Sequence, residues 1–252
     1  MTRTLPATIE CVANWLRAAR RAVVFTGAGM STESGIPDFR SPGGVWARNR
    51  PVYYDEFLAS AEARFEYWRQ KSEAADDFER AKPNSGHLSL AHWEQTGRIA
   101  GVITQNIDGL HQLAGSRRVL ELHGTARSIA CVDCQARFEP WPLMQAFRAQ
   151  LAVPPCPTCG GRLKSATVSF GQALPVEVLE ESVRLAETSD LFLAIGSSLV
   201  VHPAAGLPQL AQRGGARLVI INRDPTDQDH SAAAVLHEPI GATLAAIDAA
   251  IG

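Results

Sequence analysis

The sequence predicts an α/β fold in which a parallel β-sheet is covered by helices on both faces. Four short apolar runs are predicted strands, at Ala22–Thr26, 99–104, Leu191–Ile195 and 218–221. Helical patterns separate these runs, and near-continuous apolar strands that alternate with helices are typical of a doubly wound parallel sheet. Each run ends in small or polar residues. Because the carboxyl ends of parallel strands meet at one edge, we expect a ligand site there.

Length and composition favour a globular protein with its own core. The chain has 252 residues, of which 46% are hydrophobic and 20% charged, and this composition argues against intrinsic disorder. Its formal net charge of -2 does not indicate nucleic acid as a direct partner. The apolar runs are much shorter than the ~20 residues of a membrane span, so no membrane association is expected.

The amino-terminal sequence predicts a cytoplasmic protein. It lacks the apolar core of a secretory signal. Arg3, Arg17, Arg20 and Arg21 leave a mitochondrial presequence as an alternative, which the strand pattern directly after them disfavours.

The first elements in the chain are predicted to be a helix, a strand and a glycine turn. Apolar residues from Ile9 to Ala19 recur at helical spacing, and the strand that follows ends at Gly27-Ala28-Gly29. A strand, a glycine turn and a helix open dinucleotide-binding folds, where glycines let the backbone approach a diphosphate. Thr32 replaces the third glycine of that motif, so a turn with only a structural role explains the pattern about equally well.

Two segments interrupt the alternation of strands and helices. Residues 45–78 are rich in aromatic and charged side chains and are predicted to form a helical module. Residues 127–165 hold four cysteines and several prolines and are predicted to form a small metal-binding module. The main domain would then consist of residues 1–44, 79–126 and 166–252.

The cysteine spacing predicts a structural zinc site. Cys131-x-x-Cys134 and Cys156-x-x-Cys159 are separated by 21 residues, close to the spacing of zinc knuckles. Four thiolates leave no open coordination position, so the metal would be structural. A redox dithiol and four unrelated buried thiols are the alternatives. Cys11 stands alone in a helical pattern and is predicted to be a small core residue.

Polar residues at the predicted strand ends are candidates for binding and catalysis. In the loop after the glycine turn, Arg40 can pair with a phosphate and Phe39 can cover a flat ring, although an ordinary surface loop has the same composition. Asn106 and Asp108 follow the second strand, where they can bind a ribose or a carboxamide or simply begin a turn. His123 lies shortly after them and is a candidate base.

Taken together, these residues resemble the sirtuins, the NAD-dependent protein lysine deacylases. The matching stretches occur in family order over residues 22–224: GAGMSTESGIPDFRS, TQNIDGLH, ELHG, the two cysteine pairs, VSFGQALP, GSSLVVHP and INRD. The resemblance implies a Rossmann-type NAD-binding domain and a small domain that combines the zinc and helical modules. It also implies one structural Zn²⁺, and acylated protein lysines as partners that meet NAD in the cleft between the domains.

The resemblance also implies residue roles. His123 would be the general base, Asn106 would place the ribose and a water, and Asp108 would hold the nicotinamide carboxamide. Residues 168–171 would form an edge strand that pairs with the substrate backbone; they are Val168, Ser169, Phe170 and Gly171. The implied NAD contacts are Ala28, Thr32, Phe39, Arg40, Gln105, Ile107, Asp108, His123, Ser197, Ser198, Asn222 and Ile240.

The sequence departs from the family pattern at two places that bear on the substrate. Gln172 stands where the family usually has a glutamate after Phe-Gly, which affects the expected peptide preference. Family members that remove acidic acyl groups carry a Tyr-x-x-Arg pair, whereas here Tyr67 is followed by Gln70, unless Arg64 or Arg69 substitutes. We therefore expect acetyl or other neutral acyl groups before acidic ones.

Other activities and the assembly state stay open at this point. A protein ADP-ribosyltransferase or an NAD glycohydrolase would use the same pocket, and a non-enzymatic NAD-sensing module is a third alternative. Retention of Asn106, Asp108 and His123 disfavours the third, because a pure binder needs no base. The sequence leaves the oligomeric state open.

Overall fold

A computed structural model describes residues 4–39, 44 and 49–252 of the chain. The strands, in chain order, are β1 (Ala22–Thr26), β2 (Val102–Thr104), β3 (Val119–Glu121), β4 (Gly124–Cys131), β5 (Arg137–Phe138), β6 (Leu163–Thr167), β7 (Leu191–Ile195), β8 (Arg217–Ile221) and β9 (Ala234–Leu236). The helices are α1 (Leu5–Ala18), α2 (Tyr54–Ala59), α3 (Ala61–Arg80), α4 (Ser85–Gln95), α5 (Leu110–Leu113), α6 (Pro140–Gln150), α7 (Val176–Glu187), α8 (Leu207–Arg213) and α9 (Ile240–Ile251).

The main sheet is parallel, with the order β3-β2-β1-β7-β8-β9. Successive residues of β1 point into different cores: Val24 packs with residues of α1, α4 and α9, and Phe25 packs with residues of α7 and α8. Because side chains alternate along a strand, two apolar cores require the continuous apolar run that β1 shows. The predicted doubly wound parallel sheet is therefore confirmed.

The strand bounds differ from the prediction where hydrogen bonding changes. β1 and β7 have the predicted bounds, and β8 begins one residue earlier, at Arg217. The predicted strand 99–104 shortens to β2. The Ile99 N–H bonds to the Trp93 carbonyl at the end of α4, whereas Ala100 and Gly101 still bond to β1. The helix expected after the glycine turn is a 3₁₀ segment, Ala28–Ser34, which ends at Gly35 with a left-handed φ of 84°.

A second layer of structure packs beside the main sheet. The antiparallel sheet β5-β4-β6 shares an apolar core with α3 and α6, centred on Trp68, Phe147 and Leu163. The Trp68 Nε1–H also donates to the Leu163 carbonyl at 2.9 Å. Helical and cysteine-bearing segments thus stabilise each other. Among the described residues, no helix has the length and apolarity needed to cross a membrane.

Candidate active site

A cavity of about 1190 Å³ lies between the carboxyl edge of the main sheet and the second layer. The loops after β1, β2, β7 and β8 line one side, and Tyr67, Lys71 and Thr167 contribute to the other. Many of the predicted site residues line this cavity: Ala28, Thr32, Phe39, Gln105, Asn106, Ile107, His123, Val168, Ser169, Phe170, Gly171, Ser197, Ser198, Asn222 and Ile240. Arg40 lies outside the described residues.

The glycine loop after β1 is fixed by close backbone packing. The Gly29 N–H donates to the Gly196 carbonyl at 2.8 Å. A Cβ added to Gly27 would lie 2.7 Å from the Gly196 oxygen, and one added to Gly29 would lie 2.9 Å from the Gly196 Cα. Glycine is therefore needed at both positions. The loop brings Ala28 and Thr32 to the cavity wall, an arrangement that fits a diphosphate approaching the backbone.

The loop after β2 is held by a buried hydrogen-bond network. The Ser31 hydroxyl donates to Asp108 Oδ2 at 2.7 Å and accepts from Asn106 Nδ2 at 3.1 Å. Asp108 Oδ1 accepts the Leu110 N–H at 2.8 Å. The Asp108 carboxylate is buried behind the cavity wall and fixes Asn106 through Ser31. Ser31 was missing from the predicted site, because its partner is 77 residues away in the chain.

His123 presents a free basic nitrogen. Its Nδ1 lies 3.0 Å from the Gln105 carbonyl oxygen, which can only accept, so Nδ1 carries the proton and Nε2 keeps its lone pair. Burial lowers the pKa of His123 below its ordinary value, and the bond to the Gln105 carbonyl opposes that shift. The ring is therefore mostly neutral at neutral pH and suited to accept a proton.

The predicted edge strand over residues 168–171 is not formed. β6 ends at Thr167, and Phe170 and Gly171 form a turn with Gly171 at φ 80°. The Val168 N–H bonds to the His123 carbonyl at 2.8 Å, and the Ser169 N–H bonds to Gln172 Oε1 at 3.1 Å. These two donors are satisfied within the chain, and the Phe170 carbonyl accepts the Tyr54 N–H at 2.9 Å, so the segment is a hydrogen-bonded loop. Gln172 thus holds this loop.

The four cysteines fit a tetrahedral metal site. The Cys131 and Cys159 sulfurs are 3.6 Å apart, and those of Cys134 and Cys156 are 3.8 Å apart. All four lie within 4.8 Å of one another. Zinc–sulfur bonds of ~2.3 Å in a tetrahedron place the sulfurs roughly 3.8 Å apart. The geometry supports one structural Zn²⁺ and excludes disulfides, which need about 2.05 Å between sulfurs.

Two buried histidines lie behind the cavity, and neither belongs to a motif that the sequence reveals. The rings of His87 and His111 are 4.9 Å apart. His111 Nε2 donates to the Thr26 hydroxyl at 2.9 Å, because that hydroxyl gives its own proton to Thr104. Among the described residues, His111 Nδ1 and His87 Nε2 have no partner. Burial lowers the pKa of His87 to about 4 and that of His111 to about 3.

We expect these histidines to make stability depend on pH. The unfolded chain takes up their protons near pH 6.5, whereas the folded chain does so only near pH 3–4. Their contribution is complete above pH 6.5 and is lost as the pH falls through this window. Between pH 7.5 and 4.5, replacing His111 by Gln should reduce the loss in free energy of unfolding by about 3 kcal/mol.

Chemical denaturation at both pH values tests this expectation. Zinc ligands also bind protons in acid, so the informative quantity is the difference between wild type and variant. His230, which is exposed, provides the matched control, and His230→Gln should behave as wild type. An equal loss of stability in His111→Gln and wild type would contradict the role of His111.

Comparisons with known proteins agree with this site. A model of the Sir2 family matches residues 27–203. The chain is 48% identical to "NAD-dependent protein deacetylase 1" of Bradyrhizobium diazoefficiens over 94% of this chain and 93% of the relative. It is 48% identical to "NAD-dependent protein deacetylase" of Rhodopseudomonas palustris over 96% of each chain.

A solved structure has the same fold as this chain. It is described as a Sir2 protein with a p53 peptide and NAD⁺, and it superposes with a TM-score of 0.87 at 37% identity. The match covers 94% of this chain and 95% of the solved one. The resemblance to sirtuins is confirmed: the chain belongs to the Sir2 family.

Proposed function

We propose that this chain is an NAD-dependent protein lysine deacylase. The observation that carries the proposal is the position of His123. Its Nε2 is basic, and the residue lines the same cavity as Asn106 and the glycine loop. Relatives at 48% identity are named as NAD-dependent protein deacetylases, and the solved Sir2 structure holds peptide and NAD⁺. One NAD, one acyl-lysine and one water would give free lysine, nicotinamide and O-acyl-ADP-ribose.

Each residue at the reacting centre has a separate role in the proposed reaction. Bound NAD supplies an electrophilic ribose carbon from which nicotinamide departs. His123 Nε2 accepts a proton from a ribose hydroxyl, and Gln105 holds the ring in the tautomer that leaves Nε2 basic. Asn106, fixed by Ser31, orients the ribose and a water. Asp108 keeps this network in place from behind the wall.

We also propose the remaining binding roles. Phe39 covers the reacting carbon, Arg40 contacts phosphate, and the loop at residues 168–171 takes the substrate backbone as a new strand partner. The other proposed NAD contacts are Ala28, Thr32, Ile107, Ser197, Ser198, Asn222 and Ile240. The four cysteines hold Zn²⁺, and the domain division at residues 45–78 and 127–165 stays a proposal.

Nicotinamide release tests the function directly. Purified protein would be given NAD with peptides that differ only at one lysine, which is unmodified, acetylated or myristoylated. We expect release only with an acylated peptide, in a 1:1 ratio with free lysine. Release that ignores the peptide would overturn the proposal and point to an NAD glycohydrolase. ADP-ribose attached to protein would point to a transferase.

A further inference from the structure

The cavity wall opposite the sheet contains a lysine that pairs with no acidic side chain in the described part of the chain. Lys71 lies on α3, one turn after Tyr67, and lines the cavity. Among the described residues, no carboxylate forms an ion pair with it. Burial alone lowers its pKa to about 8, so most of the population is charged at neutral pH. A partly buried, unpaired ammonium is costly, and an anion from outside would stabilise it.

The acidic residues of α3 are largely engaged elsewhere. Arg69 pairs with Glu66 at 2.7 Å and with Glu73 at 2.6 Å. The Asp76 carboxylate pairs with Arg148 at 2.8 Å, and Asp77 pairs with Arg80 at 3.1 Å. These carboxylates balance arginines on the outer faces of the helix and leave the charge of Lys71 uncompensated.

Arg64 and Arg69, the two arginines that could replace the Tyr-x-x-Arg arginine, do not line the cavity. Arg64 donates to the carbonyls of Phe57 and Leu58 at 3.0 and 3.2 Å. Arg69 is held by its two glutamates. Neither lines the cavity, whereas Lys71 does.

A second lysine lies beside the same phenol ring as Lys71. Lys164, on β6, is buried, and its ammonium group donates to the carbonyls of Ser165 and Thr167. Burial, together with the nearby positive charge of Lys71, lowers its pKa to about 7. The Lys71 and Lys164 nitrogens each lie 5.5 Å from the centre of the Tyr67 ring. Two lysine ammonium groups therefore lie close to one phenol ring.

Hydrogen-bonding contacts connect Tyr67, beside Lys71, to the backbone of His123. The Tyr67 hydroxyl lies 3.4 Å from the Thr167 hydroxyl. Thr167 precedes Val168, whose N–H donates to the His123 carbonyl at 2.8 Å. Tyr67, Lys71, Thr167 and His123 all line the same cavity. An acyl chain bound in this cavity can therefore extend from the His123 side towards the ammonium group of Lys71.

We propose that the enzyme also removes acyl groups that end in a carboxylate, and that Lys71 pairs with that carboxylate. This inference rests on the proposed deacylase function and extends it to dicarboxylic acyl groups such as succinyl. The reaction is unchanged: the amide bond of succinyl-lysine breaks, the acyl group passes to a ribose oxygen, and nicotinamide leaves. Lys71 is a specificity residue here and takes no part in proton transfer.

The first test compares three peptides on the wild-type protein. They carry acetyl-lysine, succinyl-lysine, or the same four-carbon chain with a terminal amide in place of the acid. We expect kcat/KM for the acid to exceed that for its amide at least tenfold. Cleavage of the acid no faster than the amide would overturn the inference. Failure with the acetyl peptide as well would instead count against the deacylase proposal.

The second test assigns the effect to Lys71. In Lys71→Met, the ratio of succinyl to acetyl kcat/KM should fall at least tenfold, and Lys71→Arg should keep most of it. Lys82 is exposed and does not line the cavity, so Lys82→Met is the matched control and should keep the wild-type ratio. An unchanged ratio in Lys71→Met would overturn the role of Lys71. If that variant fails to fold, the acid and amide comparison on the wild type decides.

Discussion

Replacing His123 by Ala should lower kcat/KM for deacylation by at least about 100-fold, because general bases contribute ~10²–10⁴-fold. The variant removes the only atom we assign to accept the ribose proton, Nε2, and leaves the glycine loop and Asn106 in place. NAD affinity should therefore stay within about tenfold, a difference of ~1.4 kcal/mol. Steady-state rates with an acetylated peptide and NAD binding by calorimetry measure the two quantities separately.

His230→Ala is the matched control for this prediction, since His230 is exposed and does not line the cavity. It should retain wild-type rates. Adding imidazole to His123→Ala should restore part of the activity if the missing group is a base. Full activity in His123→Ala would remove His123 from the mechanism. Equal losses of rate and NAD affinity would indicate that the ring mainly shapes the pocket.

The sequence predicted the strands whose local signal is strong. β1 and β7 are five-residue apolar runs, and all five residues of each are buried, so pattern and structure agree. β3 and β9 have only three residues each, and no residue of β3 is fully buried. Segments of three residues carry little periodicity. They become strands because neighbours already in the sheet offer hydrogen-bonding edges.

The site was predictable where residues act through motifs. The zinc cysteines and the cavity-lining residues after β1, β2 and β7 follow from spacing and from their position at strand ends. The sequence did not predict the roles of four residues, because these roles depend on contacts between distant segments: Ser31, His87, His111 and Lys71. Lys71, for example, is an ordinary charged residue on a helix until the fold places it beside Lys164 and Tyr67.

The orientation of Asp108 also required the structure. The resemblance to sirtuins implies that Asp108 holds the nicotinamide carboxamide, and that role stays a prediction. The fold turns its carboxylate towards Ser31 and the Leu110 N–H. A buried carboxylate needs such donors, and here one comes from the 3₁₀ segment and the other from the first residue of α5.

Replacing Cys131 by Ala should cost the protein its zinc and much of its stability. Cys131 is fully buried at the end of β4, within the core that also contains Leu163 and Phe147. Structural zinc contributes apparent free energies of ~10–16 kcal/mol in small zinc domains, and three thiolates hold the metal less tightly than four. We expect zinc content well below one per chain and a clearly lower Tm.

The loss should extend to the active site, which separates it from a purely local defect. β4 pairs with β6 from Cys131 to Gly124, and Gly124 follows His123 directly. A loosened β4 would no longer fix the backbone that holds His123 and Val168, so deacylation should fall together with the Tm. Cys11→Ala is the matched control, because Cys11 lies on α1 outside the four-sulfur cluster. Metal analysis and thermal unfolding of both variants check the prediction. Wild-type zinc content and Tm in Cys131→Ala would show that the cluster is not a structural zinc site.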